Sequence, residues 1–191
     1  MIRNIPCVIL AGGKSSRMGK DKSLLPFANF NSLIEFQYNK LSKVFSKVYI
    51  STKQNINFID DSLLIYDNKQ NISSPMVAMQ SIFTKLSSKV FILTVDSPLV
   101  KEETIIKLCM DSLNYDVTIA KDINNVHNLC GVFSCNLLTK INRYQKEEIH
   151  RINYLLKNSN TQYITFNDSS QFININKESD YTKALLLYKK F

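Results

Sequence analysis

Glycine and proline are scarce, with four of each in 191 residues. No Pro/Gly/Ser-rich stretch, charge run, internal repeat or low-complexity region divides the chain, which predicts one domain over 1–191. Long apolar runs are also missing. After Met1-Ile2-Arg3-Asn4-Ile5-Pro6 the first apolar segment is about five residues long, too short for a signal-peptide core or a membrane span, so no membrane association and a cytoplasmic location are expected. The four cysteines, Cys7, Cys109, Cys130 and Cys135, lack the paired spacing of a secreted disulfide framework and fit a reducing compartment. His127, Cys130 and Cys135 form H-x2-C-x4-C, a residue set that suits zinc, but no fourth ligand lies nearby and 128–134 reads as a strand; buried free thiols are the expectation.

Hydrophobic residues make up 45% of the chain and charged ones 21%, the balance of a globular protein able to bury a sizeable core. A net charge of +8 and a pI near 9.3 would suit a nucleic-acid binder. The lysines are scattered instead of gathered in a stripe with aromatics between them, and no nucleic-acid module is recognisable, so no nucleic-acid partner is expected. A basic surface would equally steer small polyanions such as nucleotides.

Short apolar runs alternate with helical periodicity. Cys7-Val8-Ile9-Leu10 reads as a buried strand, and Ile34, Tyr38, Leu41 and Phe45 then fall on one helical face. Val48-Tyr49-Ile50 and Leu63-Leu64-Ile65 are further strands. Ser74-Pro75 places an N-cap and an N1 proline before Met79, Ile82, Phe83 and Leu86. Val90-Phe91-Ile92-Leu93 reads as a strand buried on both faces, followed by Pro98 and a helix over Lys101 to Leu113 with Ile105, Leu108 and Cys109 inward. Three such units imply parallel strands with right-handed crossovers: an α/β, doubly wound, mostly parallel sheet with helices on both faces. The last third is less regular. Strands are predicted at Val117-Thr118-Ile119-Ala120, Leu129 to Phe133 and Tyr163-Ile164-Thr165-Phe166, and a helix over Ile149 to Leu156. After Phe172-Ile173-Asn174-Ile175, Asn176 can cap a closing helix with Tyr181, Ala184, Leu185 and Tyr188 on one face.

Two segments carry chemistry. Leu10-Ala11-Gly12-Gly13-Lys14-Ser15-Ser16-Arg17-Met18-Gly19-Lys20-Asp21-Lys22 follows the first strand, where open parallel sheets bind ligands, and holds three of the four glycines. Glycines let backbone N–H groups approach phosphates, and Lys14, Arg17 and Lys22 supply charge to a polyphosphate. A Walker loop is excluded, because it needs glycine where Val8 stands. The second segment is Thr94-Val95-Asp96-Ser97-Pro98, just beyond a central strand. A carboxylate there, beside a polyphosphate loop, is placed to anchor a hard cation; the competing role for Asp96 is to cap the next helix, which Ser97 could do alone.

Together these motifs resemble the nucleotidyltransferases of the molybdenum cofactor guanylyltransferase (MobA-like) family, whose signature L-A-G-G-x-x-x-R-M-G-x-D-K matches Leu10 to Lys22. Ser74-Pro75-Met76-Val77-Ala78 stands where that family has P-G-P-L-x-G, Val95-Asp96-Ser97-Pro98 matches its C-D-x-P, and Phe172 to Asn176 matches its F-x-N-V-N-T. The glycines usual around Pro75 are replaced by Ser74 and Met79, in a segment that would lie close to the purine.

The resemblance implies a Rossmann-like nucleotidyltransferase fold that binds GTP with Mg2+ and transfers GMP to the phosphate of molybdopterin, with transient contact to other molybdenum cofactor proteins. It implies nucleotide contacts at Leu10, Ala11, Gly12, Gly13, Lys22, Ser51, Asp67 and Asp96, metal binding at Asp96, and catalytic roles for Arg17, Lys22 and Asp96. Lys121, His127, His150 and Arg151 are the candidates for an acceptor site in the last third. Cytidylyl transfer, a catalytically silent nucleotide-binding protein and a nucleic-acid-binding protein stand as competing readings.

Overall fold

The apolar run Cys7-Val8-Ile9-Leu10 forms strand β1 (Cys7–Leu10), and its alternate side chains enter two separate cores. The computed structural model describes residues 1–12, 22–67 and 74–189. Six further strands follow: β2 (Val48–Thr52), β3 (Leu64–Tyr66), β4 (Val90–Thr94), β5 (Val117–Lys121), β6 (Val126–Phe133) and β7 (Thr161–Thr165). They make one seven-stranded sheet in the order β3-β2-β1-β4-β6-β5-β7. β1 lies parallel between β2 and β4, β2 pairs parallel with β3, and β5 pairs parallel with β7. β6 runs antiparallel to both β4 and β5. The sheet is thus mixed, with its parallel half on the side of the glycine-rich segment.

The helices are α1 (Leu33–Ser42), α2 (Pro75–Lys85), α3 (Glu102–Met110), α4 (Leu138–Lys146), α5 (Ile152–Lys157) and α6 (Glu178–Tyr188). Cys7, Ile9, Phe91 and Leu93 point to the face covered by α1, α3 and α6; Val8, Val90 and Ile92 point to the face covered by α2, α4 and α5. The period of two along a strand therefore divides one apolar run between two cores, and each fully buried Ile, Leu or Phe contributes about 1.5–3 kcal/mol. These two-sided strands position the active edge, because β1, β2 and β4 all deliver their carboxyl ends to the same rim.

Local signals explain most boundaries. Ser32 caps α1 by accepting the Glu35 N–H at 3.2 Å, and Ser74 caps α2 by accepting the Met76 N–H at 3.2 Å with Pro75 in the first turn. α3 ends at Met110, short of the expected Leu113, because the Ser112 hydroxyl donates to the Cys109 carbonyl at 2.8 Å and closes the last turn. In the last third, α4 is an element that periodicity missed: Ile141 and Tyr144 are its buried apolar anchors among polar neighbours. Glu148, at φ 57°, interrupts the chain between α4 and α5, which starts at Ile152 and not at Ile149. Asn176 is not the cap of α6. The Asp180 carboxylate accepts the N–H groups of Asn176 and Lys177, both at 3.1 Å, and leaves the Asn176 side chain to bond elsewhere.

Gly131 sits in β6 between β4 and β5, where an added Cβ would meet the Thr118 carbonyl oxygen at 2.2 Å and Ile119 Cα at 2.7 Å. Backbone atoms cannot yield as a flexible side chain would. Gly131→Ala should therefore lower stability by about 3 kcal/mol or more, read from urea or thermal unfolding; an unchanged melting temperature would contradict this packing.

Candidate active site

Beyond its last residue, β1 is braced on both sides. The Ala11 N–H donates to the Ser51 carbonyl at 2.9 Å, and the Val95 N–H donates to the Leu10 carbonyl at 3.0 Å. Leu10 and Ala11 are half-buried and Gly12 is exposed on the rim. Gly13 and Arg17, expected in this site, lie outside the described residues. An added Cβ on Gly12 would meet Asp67 Oδ2 at 3.6 Å and Lys53 Cγ at 3.8 Å, ordinary contacts, so the neighbouring protein atoms themselves leave room there.

Ser51 and Asp67 meet as the ends of β2 and β3 converge, with the Ser51 hydroxyl donating to Asp67 Oδ1 at 3.5 Å. Both are buried. Burial raises the Asp67 carboxyl above its ordinary value, while the Lys53 ammonium and the Ser51 hydrogen bond act the other way. Ala11, Gly12, Thr52 and Lys53 also border a cavity of about 300 Å³ that reaches Ser23 and Ser32.

Asp96 lies in the turn after β4, its backbone held from two directions. Its carbonyl accepts the Ile175 N–H at 2.8 Å, and the Ser97 N–H closes the turn on the Thr94 carbonyl at 3.2 Å. The Ser97 hydroxyl donates to Asn174 Oδ1 at 2.6 Å and lies 2.9 Å from Thr94 Oγ1. From the other side α1 contributes two polar side chains from a largely apolar face. Gln37 Nε2 donates to the Thr94 carbonyl at 3.4 Å and to the Ser97 carbonyl at 3.0 Å, and Lys40 Nζ donates to the Pro98 carbonyl at 2.7 Å. Burial pulls the Lys40 ammonium down to about 8, with Glu102 opposing the shift.

The Asp96 side chain caps nothing, because α3 begins at Glu102 with Lys101 in the cap position. Its Oδ1 is buried and has no hydrogen-bond partner among the described residues. An ionised carboxylate oxygen in that condition is costly unless a cation or donor arrives, and a hard carboxylate oxygen suits a hard divalent cation.

Lys22 opens a 3-10 turn (Lys22–Leu24), and its Nζ donates to Asn176 Oδ1 at 3.2 Å. The far end of the glycine-rich segment is thereby tied to the closing F-I-N-I-N segment, 154 residues away in sequence. Leu10, Ala11, Gly12, Ser51, Asp67, Lys22 and Asp96 thus gather at the rim formed by β1 to β4. Sequence reasoning assigned no role to Asn174, Gln37 or Lys40, and gave Asn176 only that of capping α6. The amides at 174 and 176, two apart, and a glutamine and a lysine on the core-facing side of α1 are the signals that were available.

Among the acceptor candidates, His127 lines a cavity of about 310 Å³ together with Asp96 and Asn174. His150 turns inward, its Nδ1 buried with no hydrogen-bond partner among the described residues. Lys121 ends β5 and exposed Arg151 precedes α5; neither borders that cavity. His127 pairs with Asp122, Cys130 is buried and Cys135 half-buried, and the described residues hold no group of three His, Cys, Asp or Glu arranged around a metal. No helix of the described residues is long and apolar enough to cross a membrane.

A family model described as the MobA-like NTP transferase domain matches residues 7–162. A molybdenum cofactor guanylyltransferase of Campylobacter jejuni subsp. doylei is 38% identical over 172 residues, covering 86% of this chain and 87% of that protein. One of Helicobacter pylori is 36% identical over 196 residues, covering 100% of this chain and 96% of that protein. The molybdopterin-guanine dinucleotide biosynthesis protein A of Archaeoglobus fulgidus shares the fold with a TM-score of 0.82 at 18% identity, over 98% of this chain and 100% of that one. Nucleotidyltransferases of this kind work with a divalent metal ion. The chain belongs to the MobA-like NTP transferases and, within them, to the molybdenum cofactor guanylyltransferases.

Proposed function

We propose that this nucleotidyltransferase binds GTP with Mg2+ at the rim of β1 to β4 and transfers GMP to the terminal phosphate of molybdopterin, giving the guanine dinucleotide and pyrophosphate. The observation that carries this reading is the buried Asp96 Oδ1 near the end of β1, without a hydrogen-bond partner among the described residues, in a chain that matches guanylyltransferases over its length. Four free cysteines, three of them buried, support a reducing, cytoplasmic setting for the reaction.

The acceptor phosphate is already ionised at neutral pH, so no general base is required. Catalysis is then a matter of holding the reacting groups in line and offsetting negative charge at the α-phosphate and the leaving pyrophosphate. Backbone groups of Leu10, Ala11, Gly12 and Gly13 hold the nucleotide, Lys22 and Arg17 neutralise phosphate charge, and Ser51 and Asp67 contact the nucleoside. Asp96 would hold Mg2+, which supplies further charge neutralisation at phosphate oxygens. Lys22 is restrained by Asn176, so its ammonium is placed before the nucleotide arrives.

The test is the melting-temperature shift with each of GTP, CTP, ATP and UTP, with and without Mg2+, followed by an assay of GMP transfer to molybdopterin. A magnesium-dependent shift with GTP and transfer to molybdopterin are expected; a shift with CTP alone would move the enzyme to cytidylyl transfer, and no shift with any nucleotide would contradict the site. Lys22→Ala should cut turnover at least about tenfold with little change in melting temperature. Asp96→Ala should cut turnover by roughly a hundredfold or more and remove the magnesium dependence of GTP binding. Wild-type turnover in either variant would remove that residue from the mechanism.

A further inference from the structure

The cavity of about 310 Å³ beside Asp96 has a composition at odds with a protein of net charge +8. Its walls include Asp96, His127, Asn128, Ile152, Phe172 and Asn174, and among the described residues no lysine or arginine lines it. Such a pocket is not an anion cradle. It offers amides, one imidazole and apolar walls, which suit the uncharged, hydrogen-bonding body of a ligand whose phosphate lies at the Asp96 end.

His127 is fixed before any ligand arrives. Its Nε2 lies 3.1 Å from Asp122 Oδ2, and its ring stacks on Phe172 with centroids 4.0 Å apart and planes 15° apart. Asp122 is itself fixed, its Oδ1 accepting the N–H groups of Asn124 and Asn125, both at 2.8 Å. Those backbone bonds, Asn124 first, with the His127 contact added, hold the Asp122 carboxyl below the usual carboxylate range against the opposing effect of burial. Whenever the imidazole is neutral, an ionised Asp122 takes the Nε2–H and leaves Nδ1 as the acceptor. That Nδ1 has no hydrogen-bond partner among the described residues and, unlike Nδ1 of His150, is not sealed from solvent. An orientation fixed by a carboxylate and a stacked ring, in a residue that lines the cavity, costs little further ordering when a ligand binds.

We propose that His127 is a specificity-determining residue for the acceptor, its Nδ1 accepting an N–H of the acceptor's heterocyclic body while the acceptor phosphate lies at the Asp96 end of the same cavity. Asp122 is its positioning residue. The proposal rests on the guanylyltransferase reading, with molybdopterin as the acceptor.

Steady-state kinetics with molybdopterin and GTP test it in wild type, His127→Phe, Asp122→Asn and His127→Gln, with the GTP-induced melting shift as the check on folding. His127→Phe keeps a ring on Phe172 but removes Nδ1, and should raise the acceptor KM about tenfold, the size of one lost hydrogen bond, with the KM for GTP unchanged. Asp122→Asn keeps an oxygen for the Asn124 and Asn125 N–H groups but offers an amide donor to Nε2, which moves the proton to Nδ1 and should raise the acceptor KM similarly. His127→Gln restores an acceptor atom and should recover part of the loss. A wild-type acceptor KM in His127→Phe, or an equal loss for both substrates, would overturn the role of His127 and leave the guanylyltransferase reading standing. A wild-type enzyme that bound GTP and transferred no GMP to molybdopterin would overturn that reading, and the pocket assignment with it.

Discussion

The backbone around Asp96 is clamped, and the arrangement of the rim depends on that clamp. α1 reaches it through Gln37 and Lys40, and the segment before α6 reaches it through the Ile175 N–H and the Asn174 amide. Five hydrogen bonds of this kind to one turn would each contribute only about 0.5–1.5 kcal/mol to stability, but their geometric effect is larger. They fix the turn that carries the carboxylate while leaving Oδ1 without a partner among the described residues. A turn held in this way keeps its backbone in place when charge arrives, which is how a rigid scaffold prepares a site.

The same closing segment serves two ends of the site. Asn174 holds Ser97 on the Asp96 turn, and Asn176 holds Lys22 at the end of the glycine-rich segment. Alternate residues of one short stretch therefore tie together the Asp96 turn and the Lys22 ammonium, which lie far apart in the sequence. Asp180, by capping α6 itself, frees Asn176 for this task. Lys53 lines the cavity beside Gly12 and Thr52, while the cavity at Asp96 is lined without lysine or arginine among the described residues. The two sides of the rim are thus chemically distinct.

Much of the fold was legible because β1 and β4 are wholly apolar runs whose period of two feeds two cores, and because Ser74-Pro75 is an unambiguous helix start. The antiparallel insertion of β6 between β4 and β5 was not legible, since Val126 to Phe133 reads as a strand without stating its direction or neighbours. α4 escaped because its few buried anchors stand among polar residues, and the true start of α5 because a left-handed Glu148 has no distinctive local signal. In the candidate site, Gly12 and Asp96 were legible from their place after apolar runs, whereas Ser51 and Asp67 came only from the family resemblance. Gln37 and Lys40 could not, because a polar side chain on a core-facing helix surface shows its purpose only when the carbonyls it serves are in place. His127 stood among the acceptor candidates, but what fixes its ring was not legible, because its partner Asp122 lies across a hairpin and its stacking partner Phe172 lies 45 residues further along the chain.

The proposed site turns on Asp96 Oδ1, which has no hydrogen-bond partner among the described residues, receiving a divalent cation that arrives with the nucleotide. Electron paramagnetic resonance of Mn2+ titrated into the protein with a non-hydrolysable GTP analogue measures this directly, with the analogue alone and Asp96→Ala as references. The account predicts a protein-dependent Mn2+ signal in wild type that is absent from Asp96→Ala at the same analogue occupancy. An identical signal in both proteins would contradict it.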